Sequence, residues 1–332
     1  MSRAGHLETA KTRLVSVIAT HGIALARTLE QKIAVAGPYG QRVNPHLITE
    51  ARNELVEKGI LSTREVHGVT WYHMPDTPEH EIRQRLAEQE PTYLQVVDEK
   101  FTKRMGQTLE IAVQRALEQT AELDYFGRFT DLNEHDDSAL YKKEEPPSHI
   151  GGRHLAGKQK LDFLVRGNAF WAGIEVKNTR PWVYPNQDEL LELLRKCIAL
   201  DIVPVLIARR IPYVTGHLFR RCGLITWETL RQRYPTADAE LSERARHKRV
   251  LGFADISLGN APDAPLIKFI SKNLPTVIPE ARVRFDQYKD LMGPFAFGEM
   301  GYHEFAARVR RRSAGQDEDY DIPIEEWLEP PW

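Results

Sequence analysis

Glu175 and Lys177 lie two residues apart in the otherwise apolar run Phe170 to Lys177. In an extended strand they share one side, and Ile174 and Val176 share the other. Burying an acid and an ammonium in such a strand is costly unless they are paired or bind a metal. Upstream, Leu161, Phe163 and Val165 alternate with Asp162, Leu164 and Arg166, which turns Asp162 to the face opposite Leu161 and Phe163. A turn at Gly167-Asn168 folds the two strands together and brings Asp162 beside Glu175 and Lys177. Two carboxylates and a backbone carbonyl, that of Val176, can hold Mg²⁺ through oxygen and leave positions for water and phosphate. Lys177 can orient the water or stabilise charge in the transition state, so the expected reaction is phosphodiester hydrolysis. Glu110, near the edge of an earlier helix's apolar stripe, can help position a second metal or a water.

The elements that must carry these groups read as an α/β core. From Arg104, the residues Met105, Leu109, Ala112, Val113, Ala116 and Leu117 mark one long helix, and Asp131 to Pro147 reads as a polar surface loop. After the acid-X-Lys strand come a leucine-rich helix, Glu189 to Leu200, an apolar strand, Ile202 to Ala208, interrupted by Pro204, and a short strand at Leu224 and Ile225. The series Glu110, then Asp162 in Lys160-Leu161-Asp162-Phe163, then Glu175-Val176-Lys177 resembles the PD-(D/E)XK, or restriction-endonuclease-like, nucleases. The residue before Asp162 is Leu and not Pro. The resemblance covers about 130 residues, 104–236. It implies a restriction-endonuclease-like mixed sheet flanked by helices, with Asp162, Glu175, Lys177 and Glu110 catalytic. It also implies Mg²⁺, replaceable by Mn²⁺, held by Asp162, Glu175, Glu110 and the Val176 carbonyl. Gln187 matches a polar position that some members use to orient the site or a phosphate; a simple helix-start role explains it equally.

The N-terminal part follows another pattern. Residues 7 to 20 have helical spacing, a second helical stretch carries Ile23, Leu25, Leu29 and Ile33, and Gly37-Pro38-Tyr39-Gly40 breaks the chain. A third helix starts near Pro45, turns Leu47, Ile48, Ala51, Leu55 and Val56 inward, and stops at Gly59. Ile60 to Met74 then forms a hairpin around His67-Gly68. This order resembles a winged helix-turn-helix. The resemblance implies that His46, Thr49, Arg52 and Asn53 on the third helix meet DNA, with Arg64, His67 and His73 on the wing. A solvated face containing Glu50, Glu54, Glu57 and Lys58, on a module that binds protein, is the competing reading.

Further DNA contacts are expected from Lys158 and Lys160 in the basic approach to Asp162; Asn178 and Arg180, just after the motif, are DNA contacts or part of a solvated loop. Arg209, Arg210, Arg220 and Arg221 are phosphate contacts or solvated edges. The expected organisation is a winged helix over 1–76, a helical connector over 77–103, the nuclease domain over 104–236, and a mostly helical C-terminal extension with an acidic tail over 237–332. The tail from Asp317 to Trp332 is a partner-binding or DNA-mimicking segment, or a terminus that is mobile or docked on its own protein.

Composition sets the outer limits. The 332 residues are 42% hydrophobic and 28% charged, which fits a folded chain with more than one core. A formal net charge of -2 means that any nucleic-acid surface must come from local clustering of Lys and Arg. Two cysteines without a CxxC pair exclude a disulfide framework and a cysteine-rich zinc site. The sparse cysteines make a reducing cytoplasm the expected compartment, and no apolar run is long enough to span a bilayer, so no membrane association is expected. The order winged helix then nuclease is similar to that of Mrr-like restriction enzymes. It implies a DNA endonuclease acting on double-stranded DNA, as a homodimer where both strands are cut, in genome defence or in DNA repair and recombination. Two alternatives stay open: a non-catalytic DNA-binding regulator that retains the fold, and a nuclease subunit of a larger complex docked through its C-terminal region.

Overall fold

The computed structural model describes residues 3–34, 42–167 and 170–318. The break at Gly37 to Gly40, Asn168 of the expected turn, and all but the start of the acidic tail lie outside the described residues. The chain forms two compact units, one of residues 1–102 and 238–258, the other of 103–237 and 259–332. The region read as a single C-terminal extension is therefore divided between the two.

The first unit begins with α1 (Arg3–His21), β1 (Ile23–Leu25) and α2 (Ala26–Ala34), followed by α3 (Pro45–Glu57), β2 (Ser62–Val66), β3 (Val69–His73) and α4 (Glu79–Val97). The expected helix at Ile23 is a strand: Gly22, at φ 73°, ends α1, and Ile23, Ala24 and Leu25 pair antiparallel with β3. Pairing with a fixed partner strand outweighs the weak helical spacing of three apolar residues. The β2–β3 turn is the expected one, with His67 and Gly68 both left-handed as a two-residue hairpin requires. Leu14, Ile18, Leu29, Ile33, Ile48, Ala51 and Trp71 form the buried interior. The connector is no spacer, because α4 buries Ile82 and Leu86 and the Gln89 amide donates to the Ile23 carbonyl at 3.0 Å.

The second unit is built on a five-stranded mixed sheet. Its elements are α5 (Glu99–Leu117), which starts in the first unit, β4 (Asp124–Phe126), β5 (Arg128–Phe129), β6 (Lys143–Glu144), β7 (His149–Ile150), β8 (Arg153–His154), β9 (Phe163–Arg166) and β10 (Trp171–Lys177). They continue with α6 (Asp188–Leu200), β11 (Val203–Ala208), α7 (Tyr213–Arg221), β12 (Ile225–Glu228) and β13 (Gln232–Tyr234). α8 (Ala239–Arg246) and β14 (Ile256–Leu258) belong mainly to the first unit; α9 (Ala264–Lys268), α10 (Leu274–Ala296) and α11 (Tyr302–Ser313) complete the second.

The strand order is β12-β11-β10-β9-β4. β10 runs antiparallel to β9 and parallel to β11, and β11 runs parallel to β12. Burial on both faces makes β11 apolar throughout, and Pro204 is accommodated within it. On one face α5 sets Leu109, Val113 and Leu117 against Phe163, Val165, Ile174, Val176 and Val205. On the other, α6 packs Leu190, Leu194 and Cys197 against Leu164 and Leu206. α10 serves both faces, giving Leu274, Ile278 and Ala281 to the first and Phe285, Leu291, Met292 and Phe295 to the second. At about 1.5–3 kcal/mol for each large apolar side chain taken from water, α10 is a structural part of this core. Among the described residues no helix is long and apolar enough to cross a membrane.

Candidate active site

β10 places the acid-X-Lys pair as its alternation requires. Ile174 and Val176 enter the α5 face, and Glu175 and Lys177 turn to the side of α6. Gly173 shares that side, and a Cβ there would stand 2.7 Å from Leu161 and 3.1 Å from Cys197 Sγ, so its lack of a side chain lets α6 lie close. Glu175 is 7% exposed and takes two ammonium groups, Lys177 Nζ at 2.8 Å and Lys196 Nζ at 3.1 Å. Lys196 comes from α6 and is buried.

Asp162 sits where the β9–β10 ladder ends. The last regular pair is Phe163 with Ile174, and the Asp162 amide still donates to the Ile174 carbonyl at 3.2 Å. Asp162 Oδ2 then accepts the Val176 amide at 2.7 Å, so a carboxylate takes a backbone N–H that the next strand residue would otherwise satisfy. The chain bends here. Leu161 consequently joins Leu164 and α6, on the sheet face opposite Phe163, which corrects the alternation expected from the sequence. Gly127, at φ 93°, passes so near this bend that a Cβ would meet the Asp162 carbonyl at 2.6 Å.

The fourth expected residue, Glu110, reaches the site from α5, and with it comes one the sequence did not disclose. Gln107 and Gln114 lie on the same helix, one on each side of Glu110. Gln107 bonds both the amide and the carbonyl of Tyr141 at 2.9 Å. Gln114 accepts the Phe129 amide at 2.6 Å and donates to the Phe129 carbonyl at 3.5 Å. Each glutamine thus behaves like a strand neighbour, and together they fasten both ends of the 129–141 segment to α5. That segment was expected to be a polar surface loop, yet Asp131, Asp137 and Tyr141 are buried, and β6 pairs Lys143 with Phe129. Lys143 is thereby set under the helix, where Nζ donates to Glu110 Oε2 and lies 3.4 Å from Asp162 Oδ1.

The electrostatics follow from crowding three carboxylates into a largely dry place. Burial, then the charge of Asp162, pushes Glu110 up to about 7 despite Lys143. Burial and Asp162 also raise Glu175, against Lys177 and Lys196. Burial alone would lower Lys177 and Lys143, but the carboxylates outweigh it and hold both ammonium groups above their ordinary range. All-oxygen donors without thiol or imidazole suit a hard dication such as Mg²⁺, and added positive charge would relieve the repulsion that lifts Glu110. On those grounds the residues fit such an ion. Among the described residues no three Asp, Glu, His or Cys side chains are gathered as a ready ligand set.

The other expected contacts divide between buried and exposed places. Asn178 is buried, donating to the carbonyls of Met105 and Arg233 and accepting the Arg233 amide, so it fastens β10 to α5 and β13 and offers no surface contact. Arg180 and Arg209 are buried, and Arg209 donates to the Thr179 and Arg180 carbonyls. Gln187 occupies the N-cap position of α6 without a side-chain cap; its side chain turns back and accepts the Tyr184 amide at 3.0 Å. Lys158 is exposed, and Lys160 is paired with Glu145 at 3.3 Å. In the first unit His46 and Asn53 are exposed, Thr49 is half-buried, and the Arg52 guanidinium lies 4.9 Å from the Tyr72 ring centroid. Arg64 is held by both Glu79 oxygens and His67 by Glu90, while His73 Nδ1 bonds the Met74 carbonyl.

Lys143 and Lys196 escaped the sequence reading because neither sits in a motif: one lies in the charge run Tyr141-Lys142-Lys143-Glu144-Glu145, the other within a leucine-rich helix. The recoverable sign was Gln107 and Gln114, polar residues seven apart that straddle Glu110 beside a buried stripe. Comparison of the chain with protein-family models, curated proteins and solved structures found no match.

Proposed function

We propose that the chain is a metal-dependent endonuclease of the PD-(D/E)XK type that hydrolyses phosphodiester bonds in double-stranded DNA. The observation that carries this reading is that Glu110 from α5, Asp162 just before β9, and Glu175 and Lys177 from β10 are electrostatically coupled in one buried polar cluster, with Lys143 between Glu110 and Asp162, although the three carboxylates do not form a closed ligand set. An antiparallel β9–β10 pair, followed by α6 and a parallel β11, supports the same reading.

In this scheme Glu110, Asp162 and Glu175 would hold Mg²⁺, which would supply Lewis-acid activation of the phosphate and of the attacking water. Lys196 fixes the Glu175 carboxylate and opposes the burial that favours its protonation. Lys177, the more exposed of the two lysines on Glu175, faces the scissile phosphate and stabilises the negative charge that grows on its oxygens. The bond between the Val176 amide and Asp162 Oδ2 sets the carboxylate's orientation and leaves Oδ1 for ligation. The first unit, three helices and a hairpin, serves as a winged helix that docks duplex DNA through His46, Thr49 and Asn53. Arg52 packs over the Tyr72 ring, and Arg64 is engaged in an exposed ion pair with Glu79.

A second reading, a DNA-binding regulator without turnover, draws on the charge balance. Lys143, Lys177 and Lys196 equal Glu110, Asp162 and Glu175 in number and neutralise them, as in a purely structural cluster, with Lys143 shared by Glu110 and Asp162 and the other two on Glu175. The two readings separate when wild-type protein and Lys177→Ala are incubated with supercoiled, linear, branched and single-stranded DNA in Mg²⁺, Mn²⁺ or EDTA. Cleavage that needs metal and is lost in the variant is the expected result. Binding without cutting favours the regulator, and cutting confined to RNA removes the substrate assignment.

A further inference from the structure

We propose that Lys143 is an internal counter-ion standing where a divalent cation is ligated between Glu110 and Asp162, so that its ammonium must withdraw before those carboxylates can take a metal. The inference rests on the nuclease reading and adds to it a competing cation built into the chain. Lys177 and Lys196 are both taken up by Glu175, which leaves Lys143 as the ammonium that Glu110 and Asp162 share. Its side chain is 13% exposed, and Nζ lies 5.5 Å from the Phe129 ring centroid and 5.2 Å from that of Phe163. The two carboxylates suit a cation of either kind, and the two aromatic rings add attraction for the ammonium.

Departure from this place is short. Lys143 sits on a ribbon of two residue pairs, β5 with β6, and carries a flexible four-carbon stem. Glu145, two residues on, faces it electrostatically and is already paired with Lys160 near the surface. A withdrawn Lys143 therefore has a carboxylate to meet. The energetic consequence is a tax on metal affinity: the apparent dissociation constant is the intrinsic one divided by the fraction of molecules in which Lys143 has left. Removing the ammonium removes the tax.

The test is calorimetric titration of Mn²⁺ into the full chain, as wild type, Lys143→Met, Lys143→Gln and Lys143→Arg, near neutral pH and physiological salt. Lys143→Gln retains a hydrogen-bond donor to Glu110 and serves if the Met variant does not fold. Tighter Mn²⁺ binding by about tenfold or more is expected in the neutral variants and not in Lys143→Arg. Their melting temperature should be lower than wild type in EDTA and should rise more on adding Mn²⁺, because two facing carboxylates then lack a cation. Unchanged or weaker Mn²⁺ binding in a folded neutral variant overturns the inference, as does an equal gain in Lys143→Arg. Absence of Mn²⁺ binding in wild type and variants alike overturns the nuclease reading as well. Metal-dependent cleavage by wild type with no gain in the variants sinks the inference alone.

Discussion

Metal-free protein should lose stability as the pH rises from about 5 to 8, and Glu110 should be the main cause. Its carboxyl is lifted from 4.5 to about 7 in the folded chain, chiefly by burial and then by Asp162. Between those values the folded state keeps a proton that the unfolded chain has released. The contribution of Glu110 is therefore fully present below about 4.5, falls through the interval, and is lost above about 7. At about 1.4 kcal/mol per pH unit the full loss is about 3 kcal/mol. For a unit of this size that is a fall of roughly 6–12 °C in melting temperature. Glu175, raised for the same reasons, adds in the same direction. Urea unfolding in EDTA at pH 5, 6, 7 and 8 measures the slope. Glu110→Gln, which cannot ionise but can still accept from Lys143, should match wild type near pH 5 and exceed it by about 3 kcal/mol at pH 8. Parallel curves for the two proteins would refute the assignment of the proton to Glu110. Saturating Mg²⁺ should flatten the wild-type slope, since a cation then favours the ionised carboxylates.

Gly127→Ala should cost at least about 2 kcal/mol, because φ is 93° and the new Cβ meets the Asp162 carbonyl at 2.6 Å. Gly68→Ala, at φ 73° with nothing within 4 Å, should cost about 1 kcal/mol, and only the first change should also depress cleavage. Gln107→Ala and Gln114→Ala each strand a backbone pair and should cost about 2–3 kcal/mol, read as faster amide exchange at Tyr141 and Phe129 respectively. Lys196→Met breaks a buried pair and should cost about 3 kcal/mol at pH 8. The loss should shrink as the pH falls, because burial and Asp162 shift Glu175 toward its protonated form; denaturant titration at pH 5 and pH 8 checks it.

The parts of this chain that were readable in advance are those where one strand or helix decides its own pattern. Alternation along Phe170 to Lys177 was enough to pair Glu175 with Lys177, and a His-Gly turn between β-prone runs was enough for β2 and β3. What escaped depends on contacts distant in sequence. Ile23 to Leu25 are extended because β3, nearly fifty residues later, is there to pair with them. Leu161 changes face because the Asp162 side chain ends the ladder. Asn178 and Arg180 looked like surface polar residues after a motif, but their surroundings bury them. Lys143 becomes part of the site only because two glutamines on α5 bind a segment that, by its own composition, has no reason to be ordered.

α10 has a consequence for the protein's manufacture. It supplies apolar side chains to both faces of the mixed sheet, and Gly223 lacks the Cβ that would collide with the Ala281 carbonyl and Phe285 backbone as the helix passes. Yet 68 residues separate the end of β12 at Glu228 from the end of α10 at Ala296. At about 5–20 residues per second, a ribosome needs roughly 3–14 s to add them. Throughout that interval the newborn sheet has its strands but lacks part of its cover, with Val205, Leu206 and Ile225 open to other chains. A fragment ending at residue 236 would hold that vulnerable state permanently. The full chain leaves it only when its last third has been made.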